Sequence, residues 1–424
     1  MQVCTNILNP RKIAIFVRMK RIRISAFAGL AMLLALVSCG KDGPDGTRPD
    51  RYRHVFIGYL AGYNNLSQYL RSNLEALGSG VLPEKSRDQA IVIFAHNTVS
   101  AGDYSTPSAP CLLQLYRDRG ACAIDTLATY PATLSSTDGQ TLRLALEDVM
   151  ELFPSDSYGM LFSSHATGWI PEGYRASASG TFSFGEEWQE PPLPTKSIGA
   201  QYHGSSSVSE EMELQEFAEA IPMKLDYIIF DACLMGGVEV AWELRDICGT
   251  VAFSPAEIIA NGFVYEPMSW KLFSGASPDI EGICRDYFEH YDSLEGDWRS
   301  ATITVVDCGS LDALAHCMEG IIENHRNAVP QARELCQRYF YDRKQYYFDL
   351  RDFAVCMGAS AYELEELDAA LGQCISYHAE TPTFFNLELE RCCGLSTYIP
   401  SEALPELNSF YRTLSWNEAV GLVE

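Results

Sequence analysis

Two residues of this chain stand where their types would allow joint chemistry. Cys233 follows a continuous apolar run in "LDYIIFDACLMGGVEVAWEL", and His165 follows another in "YGMLFSSHATGW". In open α/β sheets, functional groups gather at the carboxyl ends of the strands. A Cys and a His leaving the same edge of one sheet make a thiolate–imidazolium pair. The sulfur attacks a carbonyl and the ring hands a proton to the leaving group, which is acyl-transfer chemistry. Cys233 also reads as lying close to a helix N-terminus, where the dipole and free N–H groups lower a thiol pKa. With eight His and fourteen Cys in 424 residues, chance pairs are many. The elements must therefore bring these two together.

Those elements alternate apolar strands with amphipathic helices, the pattern of an α/β fold with a largely parallel sheet. Strands are expected at "HVFIGYL", "QAIVIFAH", "YGMLFSS", "LDYIIF", "TVAFS" and "ATITVVD", and two late ones at "TFFNLEL" and "CGLSTYIP". Runs such as Ile91 to Ala95 are continuously apolar, as strands covered on both faces must be. Helical spacing predicts helices over 66–77, 141–153, 210–220, 235–244, 283–290 and 311–325, and later over 331–341, 350–356 and 364–377. Between 170 and 209 the text is rich in Gly, Ser, Pro and Tyr and shows little periodicity. So long a loop inside a compact domain is usually functional or flexible, and this one begins just after His165.

The chain ahead of the fold reads as a targeting segment. Lys20, Arg21 and Arg23 precede an apolar run from Ala26 to Val37, and "LVSC" ends at Cys39. This resembles a bacterial lipobox, with Cys39 the lipidated first residue of the mature protein and Met19 an alternative start. The run is short of the roughly 20 residues a membrane-spanning helix needs. The Gly-, Pro- and Asp-rich stretch after it reads as a tether. The expected location is the bacterial cell envelope, outer membrane or cell surface, with the membrane touched only through the lipid. Formal charge is −25, and the first 38 residues hold six of the basic residues and none of the acidic ones. The remainder is strongly acidic, which repels nucleic acid. Most cysteines lie inside apolar runs, where a free thiol behaves as a small hydrophobe. No CxxC pair or zinc spacing occurs.

"SSHATGW" and "FDACLM…VEVAWELRD" together resemble the two signature blocks of the clostripain-like cysteine peptidases, members of the caspase-like clan. "VFIGYLAGYNNLSQYL", "LFPSDSYGMLFSSH", "YFDLRDFA", "GLSTYIP" and "NSFYRTLSWNEAVG" are similar to further landmarks of that family, in order along nearly the whole mature chain. The resemblance implies a caspase-like three-layer α/β/α sandwich and hydrolysis of peptide bonds in a polypeptide substrate. His165 would be the general acid/base and Cys233 the nucleophile. The backbone N–H groups of Ala166 and Cys233 would meet the oxyanion. The family usually carries Gly after the His, and a position needing positive φ would tolerate Ala166 poorly.

Family members that cut after Arg or Lys hold the cation with carboxylates. One matches Asp231, for which helix capping is the competing reading. The second falls at Asn261. The resemblance also implies a zymogen cut in the loop after the His block, where Arg175 and Lys196 are candidates, although both read equally as solvated surface charges. No cofactor is required; calcium is allowed by the resemblance, but no EF-hand spacing places it. The resulting division is a signal over 1–39, a tether over 40–53, a catalytic domain over 54–308 and a packed α+β extension over 309–424. Two rivals stay open: an acyl-transfer enzyme other than a peptidase, and a catalytically silent binding module, to which Ala166 and Asn261 are suited.

Overall fold

The computed structural model describes residues 48–100, 103–172, 174, 192–196, 212–340 and 345–424. The targeting segment with Cys39, the first part of the tether, and Arg175 lie outside the described residues. Among the described residues no helix is long and apolar enough to cross a membrane.

A ten-stranded mixed sheet forms the centre, with helices on both faces. Its middle is parallel: β1 (His54–Gly62) lies between β2 (Gln89–Ser100) and β6 (Tyr158–Ser163), and β6 continues to β7 (Leu225–Asp231) and β8 (Cys248–Phe253). These strands are the continuous apolar runs, and β1 and β6 are buried along their whole lengths, as double-sided coverage requires. Both flanks turn antiparallel. On one side β2 pairs with β3 (Asp103–Pro107) and β4 (Cys111–Asp118), and β4 pairs with β5 (Ala121–Thr129). On the other, β8 pairs with β9 (Thr302–Asp307).

The last strand to join corrects the reading of 364–377 as wholly helical. The helix runs Ala361–Cys374 and gives way to β11 (Ile375–Glu380), which pairs antiparallel with β9. The carboxyl-terminal part therefore completes the sheet edge as well as packing on it. The two late strands shrink to short bridges: β10 (Phe348–Asp349) pairs with Ser396–Thr397, and Thr383–Phe384 with Leu387–Glu388. A helix at Tyr265–Phe273 was not foreseen. All twelve cysteines of the described residues are free thiols.

The first residue of β1 carries a pH-sensitive load. His54 is buried, with Nδ1 2.8 Å from the Ser157 hydroxyl and Nε2 3.0 Å from the Tyr227 hydroxyl. Burial pushes its pKa down from 6.5 to about 4. Between those values the unfolded chain binds the proton and the folded chain does not. Stability should then fall as pH drops from about 6.5 through about 4. The melting temperature across that interval is expected to decline, and to decline less in His54→Gln.

Candidate active site

The register of β6 and β7 sets the geometry. Ser163 lies opposite Asp231, each the last residue of its strand. Two residues further along each chain come His165 and Cys233, so they leave the sheet side by side at its carboxyl edge. Adjacent strands are about 4.8 Å apart. His165 is half-buried, with Nε2 2.6 Å from Asn65 Oδ1. Cys233 is fully buried. Its Sγ donates to the Ile258 carbonyl at 3.5 Å and accepts the Ile258 N–H at 3.0 Å. Burial pushes the thiol pKa well up, the charge of Glu257 adds to this, and the Ile258 N–H opposes it.

The expected helix dipole does not act on this thiol. The helix after Cys233 begins at Val238, with Gly237 as its cap. The intervening turn separates sulfur from the helix end, and dipole effects fade within the first turn. Strain in this turn sits instead on Leu234, directly after the cysteine, whose φ of 61° is costly for a branched side chain. Its N–H donates to the Ala256 carbonyl at 2.9 Å. Gly168 packs on the opposite side: a Cβ there would lie 2.4 Å from the Leu234 carbonyl oxygen. Ala166 carries no such strain, because among the described residues only Arg119, Leu234 and Phe385 are non-glycines at positive φ. Alanine suits that position in this chain.

Lys196 is not a surface charge. It is completely buried, and its ammonium donates to Asp231 Oδ2 and, at 2.9 Å, to Ser163 Oγ. Asp231 is itself fully buried and also accepts from Ser163 Oγ at 2.8 Å and from the Tyr265 hydroxyl. Its carboxylate thus serves the lysine rather than capping a helix. Burial pushes the Lys196 pKa down while Asp231 pulls it up. Gly262 closes over the carboxylate: at φ 73°, a Cβ there would lie 2.6 Å from both Asp231 oxygens. Asn261, expected beside the cation, is exposed and lines an open groove with His290 and Trp298. The ammonium uses Ser163 in its place.

The backbone around Lys196 is seated like an added strand. Its N–H donates to the Ile258 carbonyl at 2.8 Å, the Ala260 N–H donates to the Pro194 carbonyl at 2.8 Å, and Thr195 bridges Ile259 antiparallel. The Lys196 carbonyl accepts the Ala166 N–H at 3.2 Å. One carbonyl, that of Ile258, therefore receives both the Cys233 thiol and the Lys196 amide. Sequence reasoning missed Ser163, Tyr265, Glu257 and Ile258. No local pattern marks them, since their partners, Asp231, Cys233 and Thr195, come from distant parts of the sequence.

The carboxyl-terminal part buttresses this edge. The Tyr347 hydroxyl donates to the Thr167 carbonyl at 2.6 Å, and Trp169 packs on Tyr398 and Tyr411 at 4.9 and 5.0 Å. Buried Glu239, on the helix after Cys233, accepts from Thr397, the Tyr398 N–H and the Tyr411 hydroxyl. Among the described residues no group of three or more His, Cys, Asp or Glu side chains gathers to hold a metal.

Comparison with known proteins agrees with this geometry. No curated protein matches the chain significantly. Among solved structures, an inactive zymogen C11 protease from Parabacteroides distasonis is 26% identical with a TM-score of 0.72, over 88% of this chain and 99% of that one. A secreted C11 cysteine protease from Bacteroides thetaiotaomicron, iotapain, shares the fold at 23% identity and a TM-score of 0.70, over 87% and 99% of the two chains. The same fold recurs at 22% identity and a TM-score of 0.68 in a secreted C11 cysteine protease from that organism bound to an irreversible peptide inhibitor, with coverage of 87% and 99%. The profile of the Clostripain family matches residues 58–361. With that match over most of its length, the caspase-like sandwich around it and a buried cysteine at the sheet edge, this chain belongs to the clostripain family and is a cysteine protease.

Proposed function

We propose that the chain is an exported, lipid-anchored endopeptidase that cuts after lysine through a His165/Cys233 dyad, and that its uncut form is a zymogen inhibited by its own Lys196. One observation carries this reading: Lys196 is buried on Asp231 while its carbonyl accepts the Ala166 N–H, the posture of a residue about to be cut. A zymogen is also described for the Parabacteroides relative, and secretion for iotapain.

In the reaction His165 takes the Cys233 proton and the thiolate attacks the carbonyl carbon of the seated lysine. The N–H groups of Ala166 and Cys233 meet the oxyanion. The C–N bond breaks, His165 returns the proton to the leaving amine, and a thioester remains. Water deprotonated by His165 then releases the acid and restores the thiol. Burial raises the resting thiol pKa, so in the uncut chain the sulfur stays protonated until His165 takes its proton, which makes the first, self-directed cut slow. Cutting after Lys196 frees that residue to leave, opening the Asp231 pocket to lysyl substrates. Cys39 would carry the lipid. Arginine is the second choice of cation, since the single carboxylate and Ser163 fit a compact ammonium.

The test is self-processing. Incubated wild-type chain should split into fragments whose junction, by mass spectrometry, follows Lys196, and Lys196→Gln should not be cut there. A chain that stays whole, or is cut elsewhere while Lys196 stays joined, would overturn the zymogen reading.

A further inference from the structure

We propose that Glu257 forms the subsite for the residue preceding the scissile lysine and selects a side chain bearing a β-hydroxyl, threonine foremost. The proposal rests on the reading of Lys196 as a seated substrate residue. Thr195, the residue before it, is buried at 8% exposure and donates its hydroxyl to Glu257 Oε1 at 2.8 Å. Glu257 is 1% exposed and sits on the loop after β8, between Ala256 and Ile258. The contact is held in register from both sides, by the main-chain bonds of Pro194 with Ala260 and of Lys196 with Ile258. A peptide that uses this ladder has no freedom to slide its middle side chain away from the carboxylate.

The selection follows from chemistry. A carboxylate sheltered from water needs donors, and a hydroxyl supplies one. Valine has the same shape as threonine but places a methyl group against the oxygen. A site built to bond a substrate hydroxyl rejects the analogue lacking it far more strongly than an apolar pocket rejects a missing methyl. The burial of Thr195 also favours small side chains over long ones at this position. Glu257 lies close enough to Cys233 for its charge to push the thiol up, so this subsite adjoins the reacting sulfur.

The experiment uses the full chain after self-processing and four fluorogenic peptides, Leu-Pro-X-Lys, with X as Thr, Ser, Val or Ala. Wild type is expected to turn over the Thr and Ser peptides at least about tenfold faster in kcat/KM than the Val peptide. Glu257→Leu is expected to reverse the Thr-over-Val order, and Glu257→Gln, which keeps a neutral acceptor, to give an intermediate ratio. Equal turnover of the Thr and Val peptides by wild type overturns the subsite and leaves the lysine reading standing. No turnover of any lysyl peptide overturns both. Should Glu257→Leu fail to fold, the wild-type ratio and Glu257→Gln decide the matter.

Discussion

Cys233→Ala is expected to lose peptide hydrolysis and self-processing by at least about 10⁴-fold, because no other group in the site supplies the bond that carries the acyl intermediate. The variant should still fold. The side chain is fully buried and its loss is one sulfur atom, although the Ile258 N–H then loses the acceptor it holds at 3.0 Å. A buried donor left unpaired costs about 1–3 kcal/mol, so a modest drop in melting temperature should accompany the loss of activity. Both readouts are needed. Inactivity with the fold preserved assigns the sulfur to the reaction, and retained turnover would remove Cys233 from it.

Asp231→Asn should produce the second large effect, at the cation rather than the sulfur. The buried lysine has Asp231 as its ion-pair partner and Ser163 as a neutral one. Removing one member of a buried pair costs about 3–5 kcal/mol, since the remaining charge is left without compensation. For a lysyl peptide this corresponds to a fall in kcat/KM of roughly 10²–10⁴-fold, carried mainly by KM if the interaction is the same in ground and transition states. A peptide with norleucine in place of lysine should lose far less, and the ratio of the two peptides isolates the charge. Equal losses for both would mean that Asp231 holds the site together without reading the cation.

Legibility from sequence followed the physics of each part. The five parallel strands are readable because strands covered on both faces carry continuous apolar runs, as Ile91 to Ala95 and Tyr227 to Phe230 do. β4 and β5 went unread although Arg119 and Gly120 form their turn with φ of 50° and 84°, the handedness of a tight hairpin. The start of β11, Ile375 to Tyr377, reads as helix because an edge strand with exposed Ser376 and half-exposed Tyr377 lacks the apolar run that marks the centre. His165 and Cys233 can be placed at one sheet edge from sequence because each follows the end of an apolar strand, where functional groups gather. The Lys196–Asp231 pair could not be, because it joins a loop to a strand end 35 residues away and burial alone distinguishes it from a surface charge. The concern over Ala166 was misplaced by position: backbone strain sits on the residue after the cysteine, not on the one after the histidine.

The seam between β6 and β7 gives a cut after Lys196 a consequence beyond opening the pocket. His165 and every strand from β1 to β6 would lie in one fragment, and Cys233 with β7, β8, β9 and β11 in the other. Neither fragment would own a complete site or a complete sheet. They would be kept together by noncovalent contacts, among them the five-residue register Gly159–Ser163 against Tyr227–Asp231, the His54–Tyr227 and Tyr347–Thr167 hydrogen bonds, and Trp169 wedged against Tyr398 and Tyr411. The cut enzyme would become an obligate two-chain assembly whose refolding is bimolecular, so its recovery after unfolding would depend on concentration where that of the precursor does not. With a lipid on Cys39, the proposed nucleophile would be tethered to the membrane by noncovalent contacts alone, and denaturation would release it without breaking any covalent bond.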